Sequence, residues 1–523
     1  MVILKAVLSS KQIIVFRTDS SHLIGYGHLM RCLTLAHTLK QYGCKCFFIC
    51  RNLANNQGTL ITQQGFELVL LPQDTHSIAV DLDVPQHGVW LETSWQQDIT
   101  QCIPFFISLK PDIIILDHYA LDAKWEVKAK TYCNKLMVID DLADRKHQCD
   151  ILLDYNLNVA ANAYQALVPK QCQLLLGGKY VLLRDEFKQW QYHSIRRRNN
   201  NRLETVLIIF GGLDTDNNSE RVLQLLKNIP ALALKRIDLV VSANAPHFAS
   251  LNAAALCMPT DTRIHTNASN MAELMANADL AIGSGGGSTF ERLFLKLPSL
   301  LTPIADNQIA PLLSMSKSGF FEMFRDFNEL AHLLTRFCSQ PLPLVSAPVL
   351  FGAPLVCQTL LARDVTLADV KPLDIRRTFH WLQSDKLRQQ FVQHNAPVRA
   401  SHFVYWRALL KSRTQYTFSI IQRGKHVGNL GVKHVNVLNN EAELWIYIGE
   451  QPDQKKGLGT TAMTLLEAFI KQALLIDNIV IHVEKDNHAA LSFYDKLGYV
   501  ASSDNLVAPE FANKNVQQLR KAI

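Results

Sequence analysis

Nowhere in its 523 residues does the chain hold the roughly 18 uninterrupted apolar residues that a membrane span requires. Residues 1–8 are apolar apart from Lys5, but the stretch is short and no small-residue cleavage pattern follows it, so no secretory signal is expected. Charge of one sign is also scarce. Against 53 Lys and Arg stand 46 Asp and Glu, a net +7 with no long basic stripe. That balance suits small anionic ligands and makes no case for nucleic acid. The densest basic run, Arg196-Arg197-Arg198, lies in a polar stretch and reads as a solvated linker. Paired cysteine spacings are missing. The eleven cysteines are an odd number scattered through apolar segments, which excludes a pair-of-pairs zinc site and points to reduced packing thiols in a cytoplasmic protein. There is no internal repeat.

What is present is length, and alternation. At roughly 100–200 residues per domain, the chain should hold three domains. Strand and helix signals alternate from Ile13-Ile14-Val15-Phe16 through a helix from about Leu29 to Tyr42, stopped by Gly43, to strands at Cys46 to Cys50, Ile113 to Leu116 and Leu136 to Ile139. The last two end in Asp117-His118-Tyr119 and Asp140-Asp141, and polar residues after such strands line a ligand crevice. A second alternating region starts at Val206 and includes the strands Ile237 to Val241 and Asp279 to Ile282, then the loop Gly283-Ser284-Gly285-Gly286-Gly287-Ser288-Thr289. The expected class is α/β: two Rossmann-like halves holding a ligand between them, 1–195 and 202–345. A proline-rich linker, 346–362, then leads to a third domain, 363–523.

Two glycine loops carry the chemistry. In the first, Gly25-Tyr26-Gly27-His28, the glycines allow a tight turn ahead of a helix, and the helix amino end favours an anion and an unprotonated imidazole. A neutral His28 beside a phosphate-bearing substrate suits a general base, although one histidine near a glycine fits a structural hydrogen bond as well.

The surroundings of His28 resemble a known family. Arg17-Thr18-Asp19-Ser20-Ser21, Ile24 to Cys32, Leu116 to Asp122, Ile139 to Arg145, Phe210-Gly211-Gly212, Ala278 to Gly283 and Asp306-Asn307-Gln308 are similar to the UDP-sugar hydrolase of the pseudaminic acid pathway. The resemblance spans about Arg17 to Gln308 and implies a GT-B-type fold. The implied reaction hydrolyses UDP-2,4-diacetamido-2,4,6-trideoxy-β-L-altropyranose. It makes His28 the catalytic residue and assigns substrate binding to Asp19, Gly27, Arg31, Asp117, His118, Tyr119, Gly285, Gly286, Ser288, Thr289, Glu291, Asn307 and Gln308. Glu291 would meet the ribose hydroxyls, and no metal is expected. The family's Phe-Gly-Gly-Ser-Asp-Pro reads Phe210-Gly211-Gly212-Leu213-Asp214-Thr215 here, which changes the local turn.

The second loop is Gln454-Lys455-Lys456-Gly457-Leu458-Gly459-Thr460. A strand expected at Glu441 to Gly449 precedes it. An amphipathic helix to about Leu475, a strand at Ile479 to Val483 and Asn487 to Tyr499 follow it. This run resembles a GNAT-family N-acetyltransferase. The resemblance implies acetyl-CoA as co-substrate, held by Gln454, Lys455, Lys456, Gly457, Leu458, Gly459, Thr460 and Asn487, with Tyr494 returning a proton to the departing thiolate. Glu443, His482 and Glu484 are candidate bases. The residues after Tyr499 are polar, and a frayed or short closing strand is expected. The partners are then a UDP-linked amino-sugar and acetyl-CoA, with no membrane and the oligomeric state left open. The alternative is a GT-B glycosyltransferase fused to an acyl-CoA-binding regulatory module.

Overall fold

The computed structural model describes residues 11–73, 85–160, 162–200, 202–266, 268–362, 364–388, 395–412, 414–449, 457–502 and 515–523. The chain divides into two compact units. One consists of Ile14–Ala36 with Cys46–Gly352, and the other gathers Ala353–Ile523 with the segment His37–Lys45.

The first unit contains two sheets. Strands β1 (Ile13–Thr18), β2 (Lys45–Arg51), β3 (Glu67–Leu71), β4 (Ile113–Asp117), β5 (Lys135–Ile139), β6 (Ile151–Asp154) and β7 (Gln173–Leu176) lie in the order β3-β2-β1-β4-β5-β6-β7. Strands β8 (Thr205–Ile209), β9 (Arg236–Val241), β10 (Asp261–Thr266), β11 (Leu280–Ser284), β12 (Ser299–Thr302) and β13 (Glu322–Met323) lie in the order β10-β9-β8-β11-β12-β13, parallel throughout. Both are Rossmann-like. Each order reverses beside its first strand, at β1/β4 and at β8/β11, and the crevice at such a switch point is where α/β sheets bind ligands. The central strands are continuous apolar runs because helices cover both faces; Ile113 to Leu116 and Val206 to Ile208 are all buried.

The helix Gly27–Gln41 follows β1, and Gly43 ends it with φ +92°. The arginine run is not a solvated linker. Arg196 to Arg198 close the helix Glu186–Arg198, where Arg197 Nε donates to Asp279 at 2.7 Å and Arg198 bonds the carbonyls of Met275 and Ala278. Basic residues in the last turn of a helix meet its carbonyl end and acceptors on its neighbour, a use that charge counting does not separate from exposure. The segment expected as a linker is also packed. Gly352 lies so close to Tyr180 that a Cβ would stand 2.3 Å from its carbonyl carbon, and the whole helix Ala353–Leu361 is buried.

The second unit holds a mixed sheet. Its strands are β14 (Val365–Asp369), β15 (Tyr416–Gln422), β16 (Lys425–Asn436), β17 (Glu441–Ile448), β18 (Asn478–Glu484), β19 (Val500–Ala501) and β20 (Val516–Ala522), in the order β14-β15-β16-β17-β18-β20-β19. Of the residues after Tyr499, 503–514 lie outside the described residues, and Val500–Ala501 and Val516–Ala522 are paired in the sheet rather than frayed. Strand β20 pairs antiparallel with β18 along its full length and buries Val516, Gln518 and Leu519, so its polar composition does not keep it out of the sheet. β17 and β18 pair in parallel only over Glu441–Glu443 and Asn478–Val480. Beyond that point the two strands have no mutual register, and the sheet opens.

Candidate functional sites

His28 sits in the first turn of the helix Gly27–Gln41, and Asp117 closes β4, so the β1/β4 switch point brings them together. His28 Nδ1 lies 2.6 Å from Asp117 Oδ1. The same carboxylate takes Arg31 Nε at 2.6 Å on Oδ2 and an Arg31 terminal nitrogen at 2.6 Å on Oδ1. Burial alone would raise the Asp117 carboxyl; the Arg31 charge and the hydrogen bonds from Arg31 and His28 outweigh it and hold it well below the usual carboxylate range. An ionised Asp117 takes the Nδ1 proton of His28 as its hydrogen bond, which leaves Nε2 as the basic nitrogen. Nε2 has no partner among the described residues.

Arg31 reaches further, to Asp141 at 3.0 Å and the Tyr155 hydroxyl at 3.4 Å, and Tyr119 donates its hydroxyl to Asp141. The Tyr119 ring stands edge-on to His28 with centroids 4.4 Å apart. Asp19 lies behind this cluster, bonded to Arg17 at 2.6 Å and to the Arg51 amide at 2.6 Å. His118 Nδ1 accepts from the Ala120 amide, which places the proton of the neutral ring on Nε2, 3.1 Å from Asp19. Asp19 and His118 therefore brace the site from fully buried positions, while His28, Arg31, Asp117 and Tyr119 form it. Gly27 has open space where a side chain would project.

The second half contributes the loop after β11. At Gly285 a Cβ would stand 2.1 Å from Leu312 Cδ1, and at Gly286 it would stand 3.9 Å from the Gln308 side chain, whose Oε1 accepts from the Ile304 amide. Ser288 and Thr289 begin the helix Ser288–Phe294. Glu291, one turn on, accepts on Oε1 from Arg184 at 3.0 and 3.2 Å, leaving Oε2 without a partner among the described residues. Asn307 is in the helix Asp306–Lys317, and its side chain falls outside the described residues. Sequence reasoning missed Arg184 and Arg292. Arg292 is fully buried beneath the loop, bonded to the Ser284 carbonyl at 2.6 Å, and burial pushes its guanidinium down to about 10. Only its place directly after Glu291 signalled it.

In the mixed sheet, Gly457 takes φ +77° immediately before the helix Leu458–Phe469. A Cβ on Gly459 would come within 3.3 Å of the Phe493 ring, so the bare backbone lets the start of this helix approach the helix His488–Lys496. Gln454, Lys455 and Lys456 lie outside the described residues, and Thr460 lies in the first turn of that helix. Asn487 caps the helix His488–Lys496 by accepting from the Ala490 amide at 3.0 Å. Tyr494 is buried, which pushes its phenol well up, and its hydroxyl has no partner among the described residues. Of the candidate bases, the fold joins two: Glu443 Oε1 is 3.0 Å from His482 Nδ1 at the point where β17 and β18 part. Lys433 and His434 also reach Glu443, at 3.1 and 2.9 Å. Burial would raise Glu443, but the His482 and Lys433 contacts hold it lowered. Glu484 is two residues further along β18.

Residues 364–500 match the acetyltransferase (GNAT) domain family. Over 309 residues, 59% of this chain and 97% of the relative, the chain is 28% identical to the UDP-2,4-diacetamido-2,4,6-trideoxy-β-L-altropyranose hydrolase of Campylobacter jejuni. Among solved structures, MurG of Acinetobacter baumannii is 14% identical across 62% of this chain and 89% of its own, with a TM-score of 0.44. The N-acetyltransferase PseH of Campylobacter jejuni is 15% identical across 31% of this chain and 99% of its own, with a TM-score of 0.23. The chain thus carries a hydrolase-like region of two Rossmann-like sheets followed by a mixed-sheet GNAT domain.

Proposed function

We propose that this chain is a bifunctional nucleotide-sugar enzyme of pseudaminic acid biosynthesis. Its GNAT domain, 363–523, would acetylate the 4-amino group of UDP-4-amino-4,6-dideoxy-N-acetyl-β-L-altrosamine. Its hydrolase region, the halves 1–195 and 202–345, would then release UDP from the diacetamido product. The observation that carries the reading is the His28–Asp117 pair at a sheet switch point, with His28 Nε2 lacking a partner among the described residues.

In the hydrolysis, His28 Nε2 takes a proton from water as the water oxygen bonds to the anomeric carbon. The bond from that carbon to the diphosphate oxygen breaks, and its electron pair leaves with UDP. Asp117 and Arg31 hold the imidazole in one tautomer and orientation. The amides and hydroxyls of Gly285, Gly286, Ser288 and Thr289, over the fixed charge of Arg292, offset the negative charge on the departing diphosphate. Oε2 of Glu291 is the atom offered to the ribose, and Gln308 and Asn307 would contact the nucleotide or the sugar.

The cradle at Gly457–Gly459 and the opening between β17 and β18 fit acetyl-CoA, which supplies an activated acetyl group when bound. The first-turn amides of the helix Leu458–Phe469 suit its pyrophosphate, together with the preceding Gln454, Lys455 and Lys456. The Glu443–His482 pair draws the proton from the attacking amine. Tyr494 keeps its proton at neutral pH and can give it to the thiolate.

A timed mass and phosphorus-NMR assay on UDP-4-amino-4,6-dideoxy-N-acetyl-β-L-altrosamine, with and without acetyl-CoA, tests the reading. The expected result is acetylation followed by UDP release, the second step falling by roughly 10²–10⁴ in His28→Ala. Acetylation without release would mean an acceptor other than water, and no reaction at all would remove the substrate assignment.

A further inference from the structure

Three rings beside His28 have no part in the chemistry just described. His87 and Trp90, in and before the turn Gly88–Leu91, pack against each other with centroids 4.5 Å apart. Tyr119 is 5.5 Å from His87 and 5.7 Å from Trp90, both at tilted angles, and His28 is edge-on to Trp90 at 6.4 Å. His87 and Trp90 are half-buried, so this layer is neither core nor open surface. Its polar ends are mostly spent elsewhere. The Tyr119 hydroxyl is bonded to Asp141, and both Asp117 oxygens are bonded to Arg31 and His28. Two donors are left over: neither the Trp90 indole N–H nor the imidazole N–H of His87 has an acceptor among the described residues.

Aromatic faces attract C–H groups and methyls, and hydroxyls turned onto them lose hydrogen bonds to water. A shelf of three rings with N–H donors on Trp90 and His87 suits a sugar bearing methyl and acetamido groups, whose methyls lie on the rings and whose amide oxygens accept from those donors. We propose that His87, Trp90 and Tyr119 form the sugar-selecting shelf of the hydrolase region, favouring a deoxygenated, N-acetylated hexose over a hydroxyl-rich one. This rests on the hydrolase reading above.

The test compares the full chain with Trp90→Ala and Trp90→Phe. UDP affinity, measured by calorimetry, reports on nucleotide binding and folding. For UDP release from the diacetamido-trideoxy sugar, Trp90→Ala should raise KM about tenfold. Trp90→Phe, which keeps a ring but loses the indole donor, should recover part of that. The preference for this substrate over UDP-N-acetylglucosamine should shrink in the same order. An unchanged preference in Trp90→Ala, with UDP affinity intact, overturns the shelf and leaves the hydrolase reading standing. If the wild-type chain releases no UDP, the hydrolase reading fails. Saturation-transfer NMR with the free diacetamido sugar then decides the shelf separately. Methyl signals saturated in the wild type and lost in Trp90→Ala support it, and no saturation in the wild type overturns it.

Discussion

Asp117 serves two partners at once, and the consequences differ from those of a simple orienting carboxylate. It fixes His28 through one oxygen and ties down Arg31 through both. Asp117→Asn removes the charge that holds the Nδ1 proton, and an amide can present its NH₂ to His28, turning the tautomer the wrong way. UDP release should fall by roughly 10²–10⁴ while UDP affinity, measured by calorimetry, changes little. A loss confined to affinity would count against the proposed base. A second histidine carries stability instead. His147 is buried between Glu126 at 2.7 Å and Asp140 at 3.7 Å. Burial would lower it, but those two carboxylates raise it to about 9. Its folded pKa lies above its unfolded one, so its contribution is complete below about pH 6.5 and disappears as pH rises through 9. The shift corresponds to about 3 kcal/mol at most. His147→Gln should therefore lower the urea midpoint at pH 6 far more than at pH 9.5, and equal shifts at both would refute the charge account.

At the scale of elements, the loop after β11 depends on two missing side chains. A Cβ at Gly283 would sit 1.9 Å from the Ile209 carbonyl oxygen, inside the β8–β11 pairing, and one at Gly285 would meet Leu312. Leu312 is fully buried and cannot swing aside. Gly285→Ala should therefore weaken UDP binding, with a packing cost of about 1–3 kcal/mol, and Leu312→Ala in the same chain should restore part of the affinity. Calorimetry on the single and double variants reads this directly, and additive losses would argue against the contact. The opening of β17 from β18 is also a property of elements. Three residue pairs hold the strands together, and the next residues of each, from Leu444 and Ile481, face a gap. Glu443 and His482 meet at its edge.

For the whole molecule, the expectation is two chemistries on separate machinery. Tyr494→Phe should abolish acetyl transfer while sparing UDP release from substrate that is already acetylated, and His28→Ala should do the reverse. Separate assays of each step on both variants check this. If Tyr494→Phe also stopped hydrolysis, the two steps would not be independent.

The sequence by itself determined the order of elements and the fold class. Apolar runs, glycine stops and the two glycine loops act locally, so the strand–helix alternation and the positions of His28 and Tyr494 could be read along the chain. What lies between distant segments could not. The bond from His28 to Asp117 spans 89 positions and that from Glu443 to His482 spans 39. The Arg184–Glu291 contact spans 107, and the arginine run found Asp279 across another helix. Those pairings, the packing of His87, Trp90 and Tyr119, and the pairing of a polar closing strand with β18 depend on which segments the sheet order brings together. Residue type fixes which groups are able to pair; only tertiary packing, by excluding water and setting distance, decides which of them do.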